Sequence, residues 1–354
     1  MTPHPHWHRF ALGLAIGGTC GWLASFVGMP LPWMLGAMLG NVIAALLGLP
    51  IAGSVKARLA VIPIIGVMLG SGFHPGLISQ VPAWSFTLLM LAPYIVVAAV
   101  CTNLLYRRVG RYDPVTSFFC ALPGGLNEML ILGVEAGGDA RKIALAHGSR
   151  VFLVISFVVF FYGTMFDMQT GGGSGGGARP QTGLAELSPQ DWLILGACAV
   201  IGAWAGPKLR LPAGPMLGPM ILSALAHLTG IVETAPPTVL VNGAQVVIGT
   251  MIGSRFAGSK LAEIGRDLGL GVASALIMIA IAVVFAQVVA AVTGQSPAGV
   301  FLAFSPGGLT EMSLLAFAIG QDIAYVSIAH ISRIVLIIFS TPFVWRRMAS
   351  RRRP

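Results

Sequence analysis

The sequence predicts an all-α integral membrane protein made of two inverted repeats. Each repeat has five transmembrane helices and one re-entrant Pro-Gly-Gly-Leu hairpin, giving about ten spans in total. Three observations lead there: a composition poor in charge, a duplication along the length of the chain, and a reversal of loop charge between the duplicated halves.

Apolar residues make up 56% of the chain and charged residues 9%, with a mean hydropathy of +0.85. A soluble domain carries roughly a quarter charged residues. Folded in water, this chain would expose a very large apolar surface. Its apolar runs are about 17–25 residues long, as helical spans require, and do not alternate as barrel strands do. The net charge of +9 does not point to nucleic acid, because the basic residues lie in short gaps between apolar runs. No nucleic-acid partner is expected; the lipid bilayer is.

The duplication has an offset of 182–183 residues. Met34-Leu35-Gly36 meets Met216-Leu217-Gly218, and Gly66, Met68 and Gly70-Ser71 meet Gly249, Met251 and Gly253-Ser254. Pro123-Gly124-Gly125-Leu126-Asn127-Glu128-Met129 meets Pro306-Gly307-Gly308-Leu309-Thr310-Glu311-Met312. Further on, His147, Ser149 and Arg150 meet His330, Ser332 and Arg333. Apolar runs lie near 10–27, 31–48, 59–79, 85–106, 115–135 and 143–163, with counterparts near 191–207, 213–231, 239–256, 268–292, 298–318 and 324–344. Because Trp22 matches Trp204 in a segment that cannot be cleaved off, the first run reads as a span and not as a signal peptide. The expected organisation is membrane repeat 1 over 1–163, a Gly-rich external linker over 164–190, membrane repeat 2 over 191–345 and a basic cytoplasmic tail over 346–354.

Loop charge decides between six crossings per repeat and five. In the first half, the gap at 49–58 carries Lys56 and Arg58 and that at 107–114 carries Arg107, Arg108 and Arg111, while 28–31 and 80–84 carry no charge. The second half reverses this: 207–212 carries Lys208 and Arg210 and 257–267 carries Lys260 and Arg266, while 232–238 carries only Glu233 and 294–297 nothing. Under the positive-inside rule, equivalent loops lie on opposite sides. Each repeat then crosses an odd number of times, which requires the Pro-Gly-Gly run to dip in and return. Both termini become cytoplasmic and the linker at 171–177 periplasmic or extracellular.

The break itself carries the candidate chemistry. Proline suits the first turn of a helix and glycine permits tight geometry, so each break is expected to start a half-helix at membrane depth, its free amides and positive dipole end suited to an anion. Glu128 and Glu311 are intramembrane acids, which are functional or cap their own short helices. Arg150 and Arg333 are their natural counter-charges, each on one helical face with His147 or His330. The candidate substrate-binding set is Pro123, Gly124, Gly125, Asn127, Glu128, His147 and Arg150 with Pro306, Gly307, Gly308, Thr310, Glu311, His330 and Arg333. The alternative is a structural Glu–Arg lock, or arginines snorkelling to an interface. Asp139 and Asp322 read as helix N-caps. The four cysteines are single, no zinc or disulfide spacing exists, and the tail histidines His4, His6 and His8 make a weak metal grip at most. No cofactor and no resident metal are expected.

The doubled Pro-Gly-Gly-Leu-(Asn/Thr)-Glu-Met motif and the His-x-Ser-Arg that follows it resemble the AbrB duplication family of bacterial membrane proteins, over nearly the whole chain. Members of that family are described as membrane regulators of gene expression and, in some cases, as ammonia monooxygenases. The resemblance brings no set of catalytic residues. An oxygenase needs converging metal ligands, whereas His147 and His330 lie in opposite repeats, each beside a cation-repelling arginine, so the enzyme reading is poor. The expected function is a secondary transporter of a small anion, coupled to a proton or sodium ion, with a membrane sensor as the alternative and a homo-oligomer compatible with either.

Overall fold

Among the described residues of the computed structural model the regular elements are helical. Those residues are 7–27, 29, 31–77, 80–165, 182–257 and 261–350; the side chains of Asn127, 159–165, 261–264, 342 and 346–350 lie outside the description. The linker at 171–177, His4, His6 and residues 351–354 fall outside it as well.

The helices are α1 (Trp7–Phe26), α2 (Pro32–Leu46), α3 (Val55–Gly70), α4 (Val81–Arg108), α5 (Pro114–Ala121), α6 (Leu126–Glu135), α7 (Ala140–Met165), α8 (Pro189–Lys208), α9 (Gly214–Leu228), α10 (Thr238–Gly253), α11 (Leu261–Thr293), α12 (Pro297–Phe304), α13 (Leu309–Ala318) and α14 (Ile323–Ser350). Each expected apolar run is a helix, and the two Pro-Gly-Gly runs are pairs of short helices. Among the described residues, four segments are long and apolar enough to cross a membrane: Val81–Arg108, Thr238–Phe256, Gly265–Thr293 and Ile323–Trp345.

The chain divides into two compact units, each drawing on both halves of the sequence. Unit 1 is Met1–Ser79, Val158–Ile264 and Ser313–Ala324. In it α2 packs on α1 and α10, and α9 packs on α8 and α3. The third helix of each repeat therefore lies on the second helix of the other. Glycine makes these crossings close. A Cβ on Gly66 of α3 would strike the Met216 carbonyl of α9, and one on Gly249 of α10 would strike the Met34 carbonyl of α2. Without a hydrophobic force between helices in lipid, such backbone approach is what packs them. A polar contact seals each crossing: the Ser223 hydroxyl donates to the Val67 carbonyl at 2.8 Å, and at the equivalent place Asn41 Nδ2 donates to Thr250 Oγ1 at 3.3 Å. Leu31 and Ala213, equivalent N-cap residues, share the same left-handed conformation with φ 49°, so the duplication repeats even an uncommon backbone state.

Unit 2 is Gln80–Phe157, Gly265–Met312 and Tyr325–Pro354, and holds both Pro-Gly-Gly breaks. Helix α5 starts as its sequence dictates: Asp113 caps the Val115 and Thr116 amides at 2.9 Å each, and Pro114 occupies the first turn. It stops because a residue before proline is pushed out of the helical region, and Leu122 is extended at φ −68°, ψ 132°. After the break α6 runs back along α5. A Cβ on Gly133 would come within 3.2 Å of the Phe119 ring, and the Asp139 amide donates to Thr116 Oγ1 at 2.9 Å. The two ends of the α5–α6 segment therefore meet, as a hairpin requires. Asp139 is the expected N-cap, accepting from the Arg141 and Lys142 amides and pairing with Lys142 Nζ at 3.8 Å.

Candidate functional site

The motif explains itself locally. Gly125 has φ −66°, so it is not there for a left-handed turn. It is there for space: a Cβ would land on the Glu128 carboxylate, and one on Gly124 would come within 2.9 Å of Met129. Gly308 and Glu311, and Gly307 and Met312, repeat both relations. Each Glu is the third residue of its helix and folds back over the N-terminus, while each Met fills the interior behind the break, fully buried. The Glu128 carboxylate therefore lies against the Gly125 end of α6, the positive end of the helix dipole that was expected to face an anion.

The arginines do something the sequence did not suggest. Arg150 is 2% exposed, and its Nη1 and Nη2 donate to the carbonyls of Leu122 and Gly124 at 2.9 Å each. Arg333, 3% exposed, donates in the same way to the carbonyls of Ser305 and Gly307. Glutamate was the expected counter-charge; backbone oxygens take its place. The physical reason is that a helix stopped in the protein interior leaves its last carbonyls without amide partners, and a planar guanidinium with forked donors fits two of them at once. Histidine extends the clamp. His147 Nε2 bonds the Phe119 carbonyl at 2.9 Å and His330 Nε2 the Leu302 carbonyl at 3.0 Å. A carbonyl only accepts, so in both rings Nε2 carries the proton and Nδ1 offers a lone pair if the ring is neutral. The Thr102 hydroxyl lies 3.1 Å from the Ala121 carbonyl, serving another orphan acceptor of α5.

The two clamps differ in how far they are satisfied. In the first, Arg150 Nη2 also reaches His147 Nδ1 at 2.7 Å, and Nη1 lies 3.8 Å from Met278 Sδ. In the second, His330 Nδ1 and Ser305 Oγ are buried without a partner. Both arginines leave Nε buried and unpaired, as is the hydroxyl of Tyr94 on α4. Tyr94 is fully buried, held edge-on by Phe285 at 5.6 Å and Phe304 at 5.3 Å, and lies within electrostatic range of both Arg150 and Arg333.

Of the residues expected at the site, the structure brings together His147, Arg150, Gly124 and the Pro123 break in one clamp. It brings His330, Arg333, Gly307 and the Pro306 break together in the other. Gly125 and Gly308 serve Glu128 and Glu311. Thr310 is buried in the first turn of α13. Asn127 lends its backbone to α6, its side chain lying outside the described residues. Tyr94 and Ser305 were missed: Tyr94 has no partner in the other repeat, and Ser305 stands where the first repeat has Leu122. That substitution of hydroxyl for hydrocarbon beside a break was the available signal. Among the described residues, no group of three His, Cys, Asp or Glu could hold a metal ion.

The family model described as "Transition state regulatory protein AbrB" matches residues 33–349. The chain is 25% identical over 350 residues to "Uncharacterized protein YhjN" of Bacillus subtilis (strain 168), covering 94% of this chain and 91% of that one. It is 26% identical over 329 residues to "Putative regulator AbrB" of Escherichia coli (strain K12), covering 92% of each.

Proposed function

The chain belongs to the AbrB family, and from that premise we propose that it is an inner-membrane secondary transporter of a small anion. The solute site lies at the two broken helices, near the bilayer midplane. The observation that carries this reading is the pair of buried guanidiniums, each fixed by the carbonyls of its break and each left with an unpaired Nε–H. Polar groups at membrane depth are expensive, and they mark solute pathways more often than architecture. A capping role alone uses the Nη groups; the remaining donors are free for an acceptor that arrives and leaves.

In this reading ten helices span: α1, α2, α3, α4 and α7, with α8, α9, α10, α11 and α14. The α5–α6 and α12–α13 pairs are re-entrant. The repeats are inverted, the termini are cytoplasmic, and a proton or sodium ion couples the movement. The interchange of third helices between repeats in unit 1 and the hairpin contacts of α5–α6 support this arrangement, as does the reversal of loop charge. Labelling tests it: single cysteines at Gly173 and Pro354 react from opposite sides of the membrane, and reaction from the same side overturns the inversion.

A regulatory role, the second reading, rests on the printed name of the Escherichia coli relative. It is compatible with a membrane protein that senses or moves a solute. Proteoliposome flux separates the two: a purified protein that moves no anion, in a strain whose gene expression changes on its deletion, is a regulator and not a transporter.

A further inference from the structure

Among the described residues of unit 2, six buried polar atoms have no partner; one is Asn103 Oδ1, nine residues on from Tyr94 in α4, and the other five are Tyr94 Oη, Arg150 Nε, Arg333 Nε, His330 Nδ1 and Ser305 Oγ. These five are not scattered. Ser305 supplies the carbonyl that Arg333 clamps, His330 lies one turn before Arg333 on α14, and Phe304, next to Ser305, packs against the Tyr94 ring. Tyr94 is in electrostatic range of both arginines, and the arginines of each other. A buried donor without a partner costs about 1–3 kcal/mol, and five in one neighbourhood are far above the few scattered exceptions typical of a native protein.

Their chemistry is lopsided. The two Nε–H groups can only donate, the two hydroxyls can donate, and His330 Nδ1 alone is restricted to accepting while the ring is neutral. A ligand that meets this set brings several oxygen lone pairs, as a carboxylate does, and a hydroxyl for the imidazole. Next to these groups stand the rings of Tyr94, Phe285 and Phe304, with Phe285 and Phe304 centred 5.8 Å apart. An apolar wall beside a donor cluster favours an organic acid over an inorganic ion.

We propose that Tyr94 and Ser305, acting with the free Nε–H groups of Arg150 and Arg333, form the recognition site for a small organic carboxylate, with the Tyr94 ring and its phenylalanine neighbours receiving the carbon body. This rests on the transporter reading and adds to it the substrate class and two residues that select it. The roles in the two half-sites are unequal. Arg150 is already bonded to His147 and close to Met278 and chiefly holds its break, while Arg333, Ser305 and His330 each carry a buried atom without a partner.

The test uses full-length protein, purified in detergent and also reconstituted in proteoliposomes, with sodium lactate, sodium benzoate, sodium phosphate and sodium chloride as probes. Calorimetry reads the dissociation constant and a transport current reads the apparent KM and maximal rate. Wild-type protein is expected to bind at least one of the two carboxylates more tightly than phosphate or chloride. Tyr94→Phe removes one hydroxyl with no change of shape and raises that dissociation constant about tenfold; Ser305→Ala raises it severalfold. Tyr106→Phe is the control, since that hydroxyl is already bonded to Ser274 at 2.8 Å, and leaves it unchanged. If Tyr94→Phe is not monodisperse, Ser305→Ala carries the test. Carboxylate binding that neither variant changes by more than twofold overturns the inference and leaves the transporter reading standing. Tighter binding of phosphate overturns the substrate class. Wild-type protein that neither binds nor moves any probe overturns both.

Discussion

Replacing Arg150 by alanine separates a backbone clamp from an ion pair. In the structure the guanidinium satisfies the carbonyls of Leu122 and Gly124 and the Nδ1 of His147. Alanine leaves three acceptors buried without donors. Each such group costs roughly 1–3 kcal/mol, but water and neighbours recover part of it, and losses of about 3–5 kcal/mol are usual when one partner of a buried charged contact goes. The expected loss for Arg150→Ala is therefore about 3–5 kcal/mol, roughly two to four orders of magnitude in the folding equilibrium. Lysine keeps the charge but brings one point donor group in place of a planar fork, so Arg150→Lys regains no more than about half. Glu128→Gln keeps the fold-back over Gly125 and costs about 1 kcal/mol or less. The assay is unfolding by SDS in mixed micelles, followed by tryptophan emission, with Trp345 packed 5.7 Å from Phe118 and 5.9 Å from Phe119 as a reporter beside α5. In the double-mutant cycle the clamp predicts coupling between Arg150 and Glu128 below about 0.5 kcal/mol. A coupling of about 2 kcal/mol or more, or full rescue by lysine, refutes the clamp and restores the ion pair.

Three further outcomes follow from the geometry. Gly125→Ala pushes a methyl onto the Glu128 carboxylate and is expected to cost about 1–3 kcal/mol, partly recovered in Gly125→Ala with Glu128→Ala; measured in the same micelles, no recovery means that Glu128 is not what the glycine accommodates. Gly66→Val and Gly249→Val strike equivalent carbonyls in the two crossings of unit 1, so each should lower the unfolding midpoint by a similar amount, and a loss at only one site contradicts the equivalence of the crossings. Burial alone would raise the Asp113 carboxyl, but its hydrogen bonds from Thr116 and Val115 outweigh this and hold it below the ordinary value. A depressed carboxyl stabilises above the ordinary carboxylate range and loses that contribution as pH falls through the folded-state value. Asp113→Asn should flatten the acid limb of the stability profile, and an unchanged limb rules this group out as its source.

The sequence made the helices legible because spacing and apolar length survive without coordinates: each anticipated run is occupied by one helix, or by two where Pro-Gly-Gly interrupts it. The repeat register also survived, down to Gly66 and Gly249 meeting equivalent carbonyls. What escaped was the division of each repeat between two units, since residues that pack across repeats lie far apart in the chain, 156 positions for Val67 and Ser223 and 209 for Asn41 and Thr250, and leave no local pattern. At the site, counting side-chain charges paired Arg150 with Glu128. The counting omitted the carbonyls freed at Leu122 and Gly124, which a sequence carries at every position and reveals only where a helix stops. Tyr94 was invisible for a similar reason: one tyrosine in an apolar span looks like any other, and Tyr106, with its hydroxyl bonded, is indistinguishable from it until partners are assigned.

Flux measured in proteoliposomes tests the account most directly, comparing wild-type protein with the Arg150→Lys, Arg333→Lys double variant, both shown to be folded. Wild-type protein should move an organic anion saturably, and the double variant should not, because neither break is then clamped nor its Nε–H presented. Equal flux from both proteins, or none from the wild type, contradicts it.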